Sequence, residues 1–321
     1  VDRRIFFGGL VVRVRIMQVT LHDGSQQDLT ALDPQQLAQL HWEQERAFAQ
    51  RIREAPRGSP ARAEAFRQGY DTVTAILGRR FGSHDGLQMG HNPRYARLVL
   101  RLLRRIVRRG STAGSSPAGR FFEIGYGCGA MLQAVAAAGH GVAGIEVSTH
   151  MQQQARQRLP AGKDAGLLLG DFLTHPLEGP HVRYDLVYWN DVFEHLPVDE
   201  APDYLRRIHQ LLVPGGALVT ITPNWHARPG DVTWDHKPPR SEAEGFHLKE
   251  YTLREMTRLL RAAGFRRVAT PWLVTRRHTV LLGSGWRSIK CLCEPALEWL
   301  PFGLAHLLVR GMGLNTTIAW K

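Results

Sequence analysis

An apolar segment runs straight into a cluster of glycines. Phe121-Phe122-Glu123-Ile124 is followed by Gly125-Tyr126-Gly127-Cys128-Gly129, and Ala130 to Ala138 reads as a helix stopped by Gly139. Strand, glycine turn and helix in that order open a βαβ unit. Glycines let the chain turn sharply and bring its backbone against a ligand with no Cβ in the way. In an open parallel sheet such a turn lies outside the carboxyl ends of the strands, where ligands bind. Gly125, Gly127 and Ala130 also satisfy a looser G-x-G-x-x-A pattern, so the loop alone does not choose its ligand.

The segments that follow keep the same grammar. Gly141 to Glu146 reads as a second strand with Ser148 capping the next helix, and Leu167-Leu168-Leu169, Tyr184 to Asn190 and Ala217 to Thr222 supply three more apolar runs. Strands alternating with helices predict right-handed crossovers and a doubly wound, mostly parallel α/β sheet. Thr252-Leu253-Arg254-Glu255 is a capping box opening a helix that turns Met256, Leu259 and Leu260 inward and stops at Gly264. Arg266 to Val274 and Arg277 to Leu282 are strand-like, Trp286 to Arg310 is helical, and Thr316 to Trp320 has the β-branched and aromatic content of a last strand.

Upstream, Leu29 to Arg109 carries helical periodicity and no convincing strand, with Pro56 to Pro60 and Phe81 to Gly86 as loops. In Arg94 to Arg109 the residues Arg97, Arg101, Arg104, Arg105 and Arg108 share one face, while Val99, Leu102, Leu103 and Ile106 share another. Gly110 to Gly119 has the composition of a flexible linker. These shifts divide the chain into residues 1–18, an N-terminal extension that need not be native, a helical cap over 19–115, and a ligand-binding domain over 116–321 with a helical insertion at about 284–312. Val1 in place of Met leaves two candidate starts, a GTG codon at Val1 and Met17.

Charge and cysteines narrow the function classes. The 321 residues carry a net charge of +12, which by itself points to polyanions. Only five of the 41 basic residues are Lys, a bias that a GC-rich genome also produces, so nucleic acid is not the expected partner. Arg13 and Arg15 break the longest N-terminal apolar run, and no secretory signal is visible, so a cytoplasmic location without a membrane span is expected. Cys128, Cys291 and Cys293 include one C-x-C pair with no second pair to complete a zinc site. Asp235 and His236 are adjacent with no spaced partners, and no metal is expected.

Glu146, at the end of the second strand, can accept hydrogen bonds from both ribose hydroxyls of either NAD or S-adenosylmethionine (SAM). After the third strand Gly170-Asp171-Phe172 offers a carboxylate for an adenine amino group and a ring to lie against the base. After the fourth, Asn190-Asp191-Val192-Phe193-Glu194-His195 can border the other end of the ligand. At this point the sequence resembles the class I SAM-dependent methyltransferases, specifically the small-molecule group with an E-x-G-x-G-x-G loop. Phe122 to Gly129, Gly144 to Ser148, Gly170-Asp171, Tyr184 to Val187 with Glu194-His195-Leu196, and Leu211 to Gly216 match in order, and Gly245 to Thr252 looks like a segment of one bacterial branch.

The resemblance implies a Rossmann-like seven-stranded sheet with its last strand antiparallel, SAM as cofactor, and a small molecule as methyl acceptor. It implies that Glu123 with Gly125, Tyr126, Gly127 and Gly129 holds the amino-acid moiety and that Glu146 with Val147 holds the ribose. Asp171 and Phe172 would then take the adenine, and Asn190, Asp191 and Val192 the side of the sulfonium, with the cap roofing the cofactor. His195, His247 and Tyr251 are the candidates for a base or acceptor-orienting group, needed only if the acceptor must lose a proton. The long loop from Asn224 to Leu248 is expected to face substrate as a lid. The apolar insertion leaves room for a hydrophobic acceptor, peripheral membrane contact or an oligomer contact. The other readings are an RNA or protein methyltransferase, and an NAD-dependent or non-catalytic Rossmann-like protein. Neither the acceptor atom nor the oligomeric state is legible.

Overall fold

The computed structural model describes residues 2–7, 10–15, 17–81, 92–110, 118–159, 162, 166–177, 183–275, 278–281, 283 and 285–321, with backbone only for those before 17. The expected loop at 82–86 and most of the linker at 110–119 lie outside the described residues. Two compact units divide the chain, Val1–Leu87 and Gln88–Lys321. Among the described residues, no helix is long and apolar enough to cross a membrane.

In the first unit β1 (Asp2–Phe7) and β2 (Leu10–Arg15) pair antiparallel, as do β3 (Gln18–Thr20) and β4 (Gln26–Asp28). Neither hairpin is anticipated from the sequence, in which residues 1–18 read as an extension and the periodic pattern begins at Leu29. Two helices follow, α1 (Pro34–Glu54) and α2 (Pro60–Arg80). Proline opens each, and the side chains of Asp33 and Ser59 accept the unpaired N–H groups of the first turns. Leu29, Leu37 and Ile76 form a small core with Val19 of β3.

The second unit begins with α3 (Pro93–Gly110). The sequence assigns this helix to the cap, yet Leu98, Val99, Leu102 and Leu103 lie in one core cluster with Phe121, Tyr188 and Val219 of the sheet. Its arginine face stays outward, as expected of a core-docked amphipathic helix. The chain then runs through β5 (Arg120–Ile124), α4 (Ala130–Ala137), β6 (Gly141–Glu146), α5 (Thr149–Arg158), β7 (Leu167–Leu169), β8 (Tyr184–Asn190), α6 (Ala201–Leu211) and β9 (Leu212–Ile221). After a long loop come α7 (Leu253–Ala262), β10 (Arg267–Ala269), the hairpin of β11 (Pro271–Val274) and β12 (Thr279–Leu281), α8 (Gly285–Cys293), α9 (Phe302–Gly311) and β13 (Thr316–Trp320).

Seven strands form one sheet in the order β10-β13-β9-β8-β5-β6-β7. The five strands from β9 to β7 are parallel, and β13 runs antiparallel to both of its neighbours. Alternation along β5 sends Phe121 to the face covered by α3 and α4, and Phe122 to the face covered by α6 and α7. Strand order reverses beside β5, whose neighbours are β6 and β8, and this switch point fixes where a ligand can sit.

The segment between β12 and β13 is the expected helical insertion. Lys290 of α8 is buried and its ammonium donates to the carbonyl oxygens of Pro271, Trp272 and Met312, tying the insertion to the hairpin and to the approach to β13. Its outer surface leaves Leu292, Trp299 and Leu307 exposed to 75%, 89% and 67%, so these three are not core residues of this unit.

Candidate active site

The glycine loop leaves β5 at the switch point. Gly125, Gly127 and Gly129 all have left-handed φ angles, 66°, 51° and 76°. A Cβ at Gly125 would stand 2.5 Å from Val192 Cγ2, and one at Gly129 would stand 2.9 Å from the Cβ of Ala155 in α5. Both conformation and space therefore require glycine at these two positions. Glu146 binds the loop to its neighbours: its Oε2 accepts the Gly127 N–H at 2.8 Å, and its Oε1 accepts those of Val147 and Ser148 at 2.8 and 3.0 Å.

Glu123 precedes the loop and is buried, with no hydrogen-bond partner for its Oε2 among the described residues. Burial, and after it the Glu146 charge, hold its carboxyl well above the usual carboxylate range. Tyr126 is turned inward instead: it is 3% exposed, and its hydroxyl donates to the Leu168 carbonyl at 3.0 Å. The Val147 main chain is linked to the loop through Glu146, whose carboxylate accepts both the Val147 N–H and that of Gly127.

Asp171 and Phe172 are placed otherwise than expected. The Asp171 Oδ1 accepts the N–H groups of Leu173 and Thr174 at 2.8 and 3.0 Å, and its Oδ2 accepts the Tyr204 hydroxyl at 2.8 Å. The Phe172 ring is 2% exposed, stacked on Tyr204 with centroids 5.6 Å apart, with the Arg207 guanidinium 5.3 Å from its centre. A ring so enclosed is a core group and has no face for a base. Gly170 is the link between the strand ends, its N–H donating to the Glu146 carbonyl at 2.9 Å.

On the other side of the switch point Asn190 donates to Asp191 Oδ2 at 2.6 Å, and its own Oδ1 is buried without a partner among the described residues. Asp191 has φ 52°, an uncommon conformation for a residue with a side chain, held by its N–H bond to the Ile221 carbonyl at 3.0 Å. Val192 fills the space above Gly125. A cavity of about 350 Å³ opens here at the carboxyl ends of β8 and β9. Asn190, Asp191 and Thr222 line it together with Arg94, Arg310 and Asn315. Arg94 comes from the start of α3 and Arg310 from the end of α9, so the insertion does reach the site.

Three side chains are the candidates for a base or acceptor-orienting group. The His195 Nδ1 is 2.9 Å from the Phe246 carbonyl oxygen, and burial followed by the charge of His247 push its pKa down to about 3. His247 is buried with Nδ1 2.7 Å from Glu250 Oε1; burial opposes its charge, but Glu250 and Glu194 outweigh that and raise it to about 9. One ring is thus too weak a base at neutral pH and the other already holds its proton. Tyr251 is 3% exposed and packs its ring on Phe193 at 4.8 Å, a core position in which burial raises the phenol pKa. The structure instead gathers His195 and His247 around Glu194, which the sequence reading passed over although it adjoins His195 in the matched motif.

The Asn224 to Leu248 loop is anchored rather than loose. Asp231 caps a short turn through the Thr233 N–H at 3.0 Å, His226 and Arg228 meet Glu298 at 2.9 and 2.7 Å, and Arg240 donates to the carbonyls of Leu297 and Leu300. Its bonds to the insertion make it a wall, not a lid able to swing on its own.

The match to known proteins decides between the cofactors that the glycine loop admits. A family model described as a methyltransferase domain matches residues 90–270, more than half of the chain. The chain belongs to this methyltransferase family. The methyltransferase is 28% identical over 163 residues to an uncharacterized methyltransferase of Geobacillus sp. (strain WCH70), covering 48% of this chain and 73% of the relative. It is 35% identical over 101 residues to one of Bacillus thuringiensis (strain Al Hakam), covering 32% and 45%. It therefore spans less than half the length of the second relative. Among solved structures, magnesium protoporphyrin IX methyltransferase from Synechocystis PCC 6803 aligns at 18% identity with a TM-score of 0.46, covering 67% of this chain and 95% of that one. The methyltransferase also aligns with an amino pentose methyltransferase from Micromonospora echinaspora at 29% identity and a TM-score of 0.33, covering 41% and 51%. Membership makes SAM the cofactor and sets aside the NAD-dependent reading. The site fits the molecule: Glu123 and Asn190 present buried oxygens without partners on the two sides of a loop that only glycine can form.

Proposed function

We propose that this methyltransferase acts on a small-molecule acceptor that carries an anionic group. The observation that carries the reading is the cavity beside Asn190 and Asp191, walled by Arg94 and Arg310. Arg94 donates through its two terminal nitrogens to the Thr275 carbonyl and the Tyr95 hydroxyl at 3.1 and 3.2 Å, which holds its guanidinium in place, and its Nε has no partner among the described residues. Arg310 is exposed at the rim. A pair of guanidiniums around a space of this size recognises a carboxylate or phosphate.

SAM supplies an electrophilic methyl on a sulfonium, a leaving group that needs no activation, so the work left to the protein is alignment. Glu123 would meet the ammonium of the amino-acid moiety, and Glu146 would meet the ribose while fixing the loop through Gly127. Asn190, with Val192 held over Gly125, would close the side where the methyl points. In this arrangement Asp171 and Phe172 shape the turn after β7 and leave adenine contacts to the main chain. Neither His195 nor His247 serves as a base alone, given their opposite protonation.

A thermal-shift screen with S-adenosylhomocysteine (SAH) present, run over carboxylates, phosphates and neutral isosteres, tests the acceptor class. Anionic compounds should raise the melting temperature and be methylated, with Arg310→Met raising KM about tenfold or more and leaving SAH affinity unchanged. Turnover confined to neutral acceptors, indifferent to Arg94→Met and Arg310→Met, would sink the proposal.

A further inference from the structure

Glu194, His195 and His247 each bring one potential ligand atom to within 4.8 Å of the other two. The first two stand on the short 3-10 turn after β8, and the third on the anchored loop that leads into α7. Around them the supporting contacts run outward. The Nδ1 of His247 meets Glu250 Oε1 at 2.7 Å and the Nδ1 of His195 meets the Phe246 carbonyl at 2.9 Å. An imidazole that donates from one nitrogen to a carboxylate or carbonyl has its other nitrogen oriented as a lone-pair donor, and metal-bound histidines are held in this way.

Glu194 is the second and independent observation. It is fully buried, and its Oε2 accepts the Thr222 hydroxyl at 2.9 Å. Its Oε1 has no hydrogen-bond partner among the described residues and lies 3.9 Å from His247 Nε2. That distance is too long for a hydrogen bond. It is close to the separation of about 3.4 Å between two ligands on one tetrahedral ion with bonds of about 2.1 Å. A buried carboxylate oxygen pointing at an imidazole without touching it is poorly satisfied by the protein alone and well placed for a shared cation.

We propose that Glu194, His195 and His247 bind a single divalent transition-metal ion of the zinc or manganese class. Two imidazole nitrogens and one carboxylate suit those ions and are a poor set for Mg²⁺ or Ca²⁺, which take oxygen ligands. Binding releases the ring proton of His247 to solvent, leaving His247 neutral on the ion and hydrogen-bonded through Nδ1 to Glu250. Three protein donors leave at least one position for water. Thr222 lines the cavity and donates to Glu194, so the ion lies directly behind the cavity wall. The sequence offers only the pairs Cys291 with Cys293 and Asp235 with His236, and no metal is expected from it because Glu194 and His247 meet only in the folded chain.

The test uses the untagged 321-residue chain, stripped with EDTA, then equilibrated separately with Zn²⁺, Mn²⁺ and Mg²⁺ and passed over a desalting column. Elemental analysis should give about one equivalent of Zn²⁺ or Mn²⁺ and little Mg²⁺, with a rise in melting temperature of several degrees. Glu194→Gln and His195→Asn should each weaken retention about tenfold or more while keeping a cooperative thermal transition. Substitution of Co²⁺ into the wild-type protein adds a readout that needs no variant, since nitrogen and carboxylate ligation in a low-symmetry site gives visible absorption bands. Equal metal content in wild type and folded variants, or no retained metal and no Co²⁺ bands, would overturn the proposal and leave His247 as a protonated partner of Glu194 and Glu250.

Discussion

Replacing Gly129 by Ala sets two costs against each other that the structure lets one separate. The first is conformational: φ is 76°, and a side-chain-bearing residue in the left-handed region costs about 1–2 kcal/mol. The second is crowding. The new Cβ would stand 2.9 Å from Ala155 Cβ and 3.2 Å from Ala155 Cα, and because these atoms belong to the body of α5 they cannot swing aside. Overpacking of this kind costs about 1–3 kcal/mol, so Gly129→Ala should lose roughly 2–5 kcal/mol in all. Gly139→Ala is the control: its φ is 85°, yet nothing lies within 4 Å of the Cβ, so it should lose only the conformational part, about 1–2 kcal/mol. Urea denaturation of the two variants, at unchanged slope, measures the difference. SAH affinity by calorimetry should fall about tenfold for Gly129→Ala, whose loop must shift, and stay constant for Gly139→Ala. Equal stability losses within about 0.5 kcal/mol would show that α5 yields and that the loop is not space-limited.

Further outcomes follow from single contacts. Glu146→Gln turns a charged acceptor of three N–H groups into an amide with one acceptor atom, and should cost about 1.5–3 kcal/mol in urea unfolding, with weaker SAH binding in the same calorimeter. Thr252→Ala removes the cap of α7, where Thr252 and Glu255 exchange bonds, for about 1 kcal/mol and no change in SAH affinity. Glu123 carries a pH signature. Because the fold raises its pKa, the fold binds a proton that the unfolded chain has already lost; this stabilisation is complete below the ordinary carboxylate range and disappears as pH rises through the raised value. The ammonium of the cofactor needs the ionised form, so SAH affinity should climb over the same window and its heat should vary with buffer ionisation enthalpy. Both effects should vanish in Glu123→Gln, and their survival there would assign the proton to another group.

The strands around the switch point were readable because their information is local. A buried apolar run, a glycine turn and a helix start lie within a few residues of one another in β5 and α4, and the capping box of α7 is likewise a four-residue signal. Partners distant in sequence were not readable. The apolar stripe of α3 announces that it is covered, but not that the sheet covers it. The glycine-rich segment behind it looks like a boundary until Gly119 is seen to sit where a Cβ would be 2.6 Å from Val107 and 2.8 Å from Leu103. Phe172 was taken for an adenine contact on its residue type and position, whereas Tyr204 and Arg207 of α6 enclose its ring. His195 stands out in the sequence as a polar residue after the fourth strand, and His247 as one on the loop leading into α7. What each can do depends on Glu194 and Glu250, whose burial no local pattern encodes.

The place of β13 has a consequence for how this sheet assembles. It stands between β9 and β10, and among the described residues β10 has no other strand beside it in the sheet. A ribosome making this chain therefore delivers β10 well before the strand it pairs with, with the hairpin and the whole helical insertion emerging in between. During that interval β9 and β10 both expose backbone edges to any extended segment that passes. The contacts of Lys290 with the carbonyls flanking the insertion draw that long excursion back toward the gap, so a charge-neutral Lys290→Met chain should be most vulnerable while it is being made and refolded rather than once it is complete.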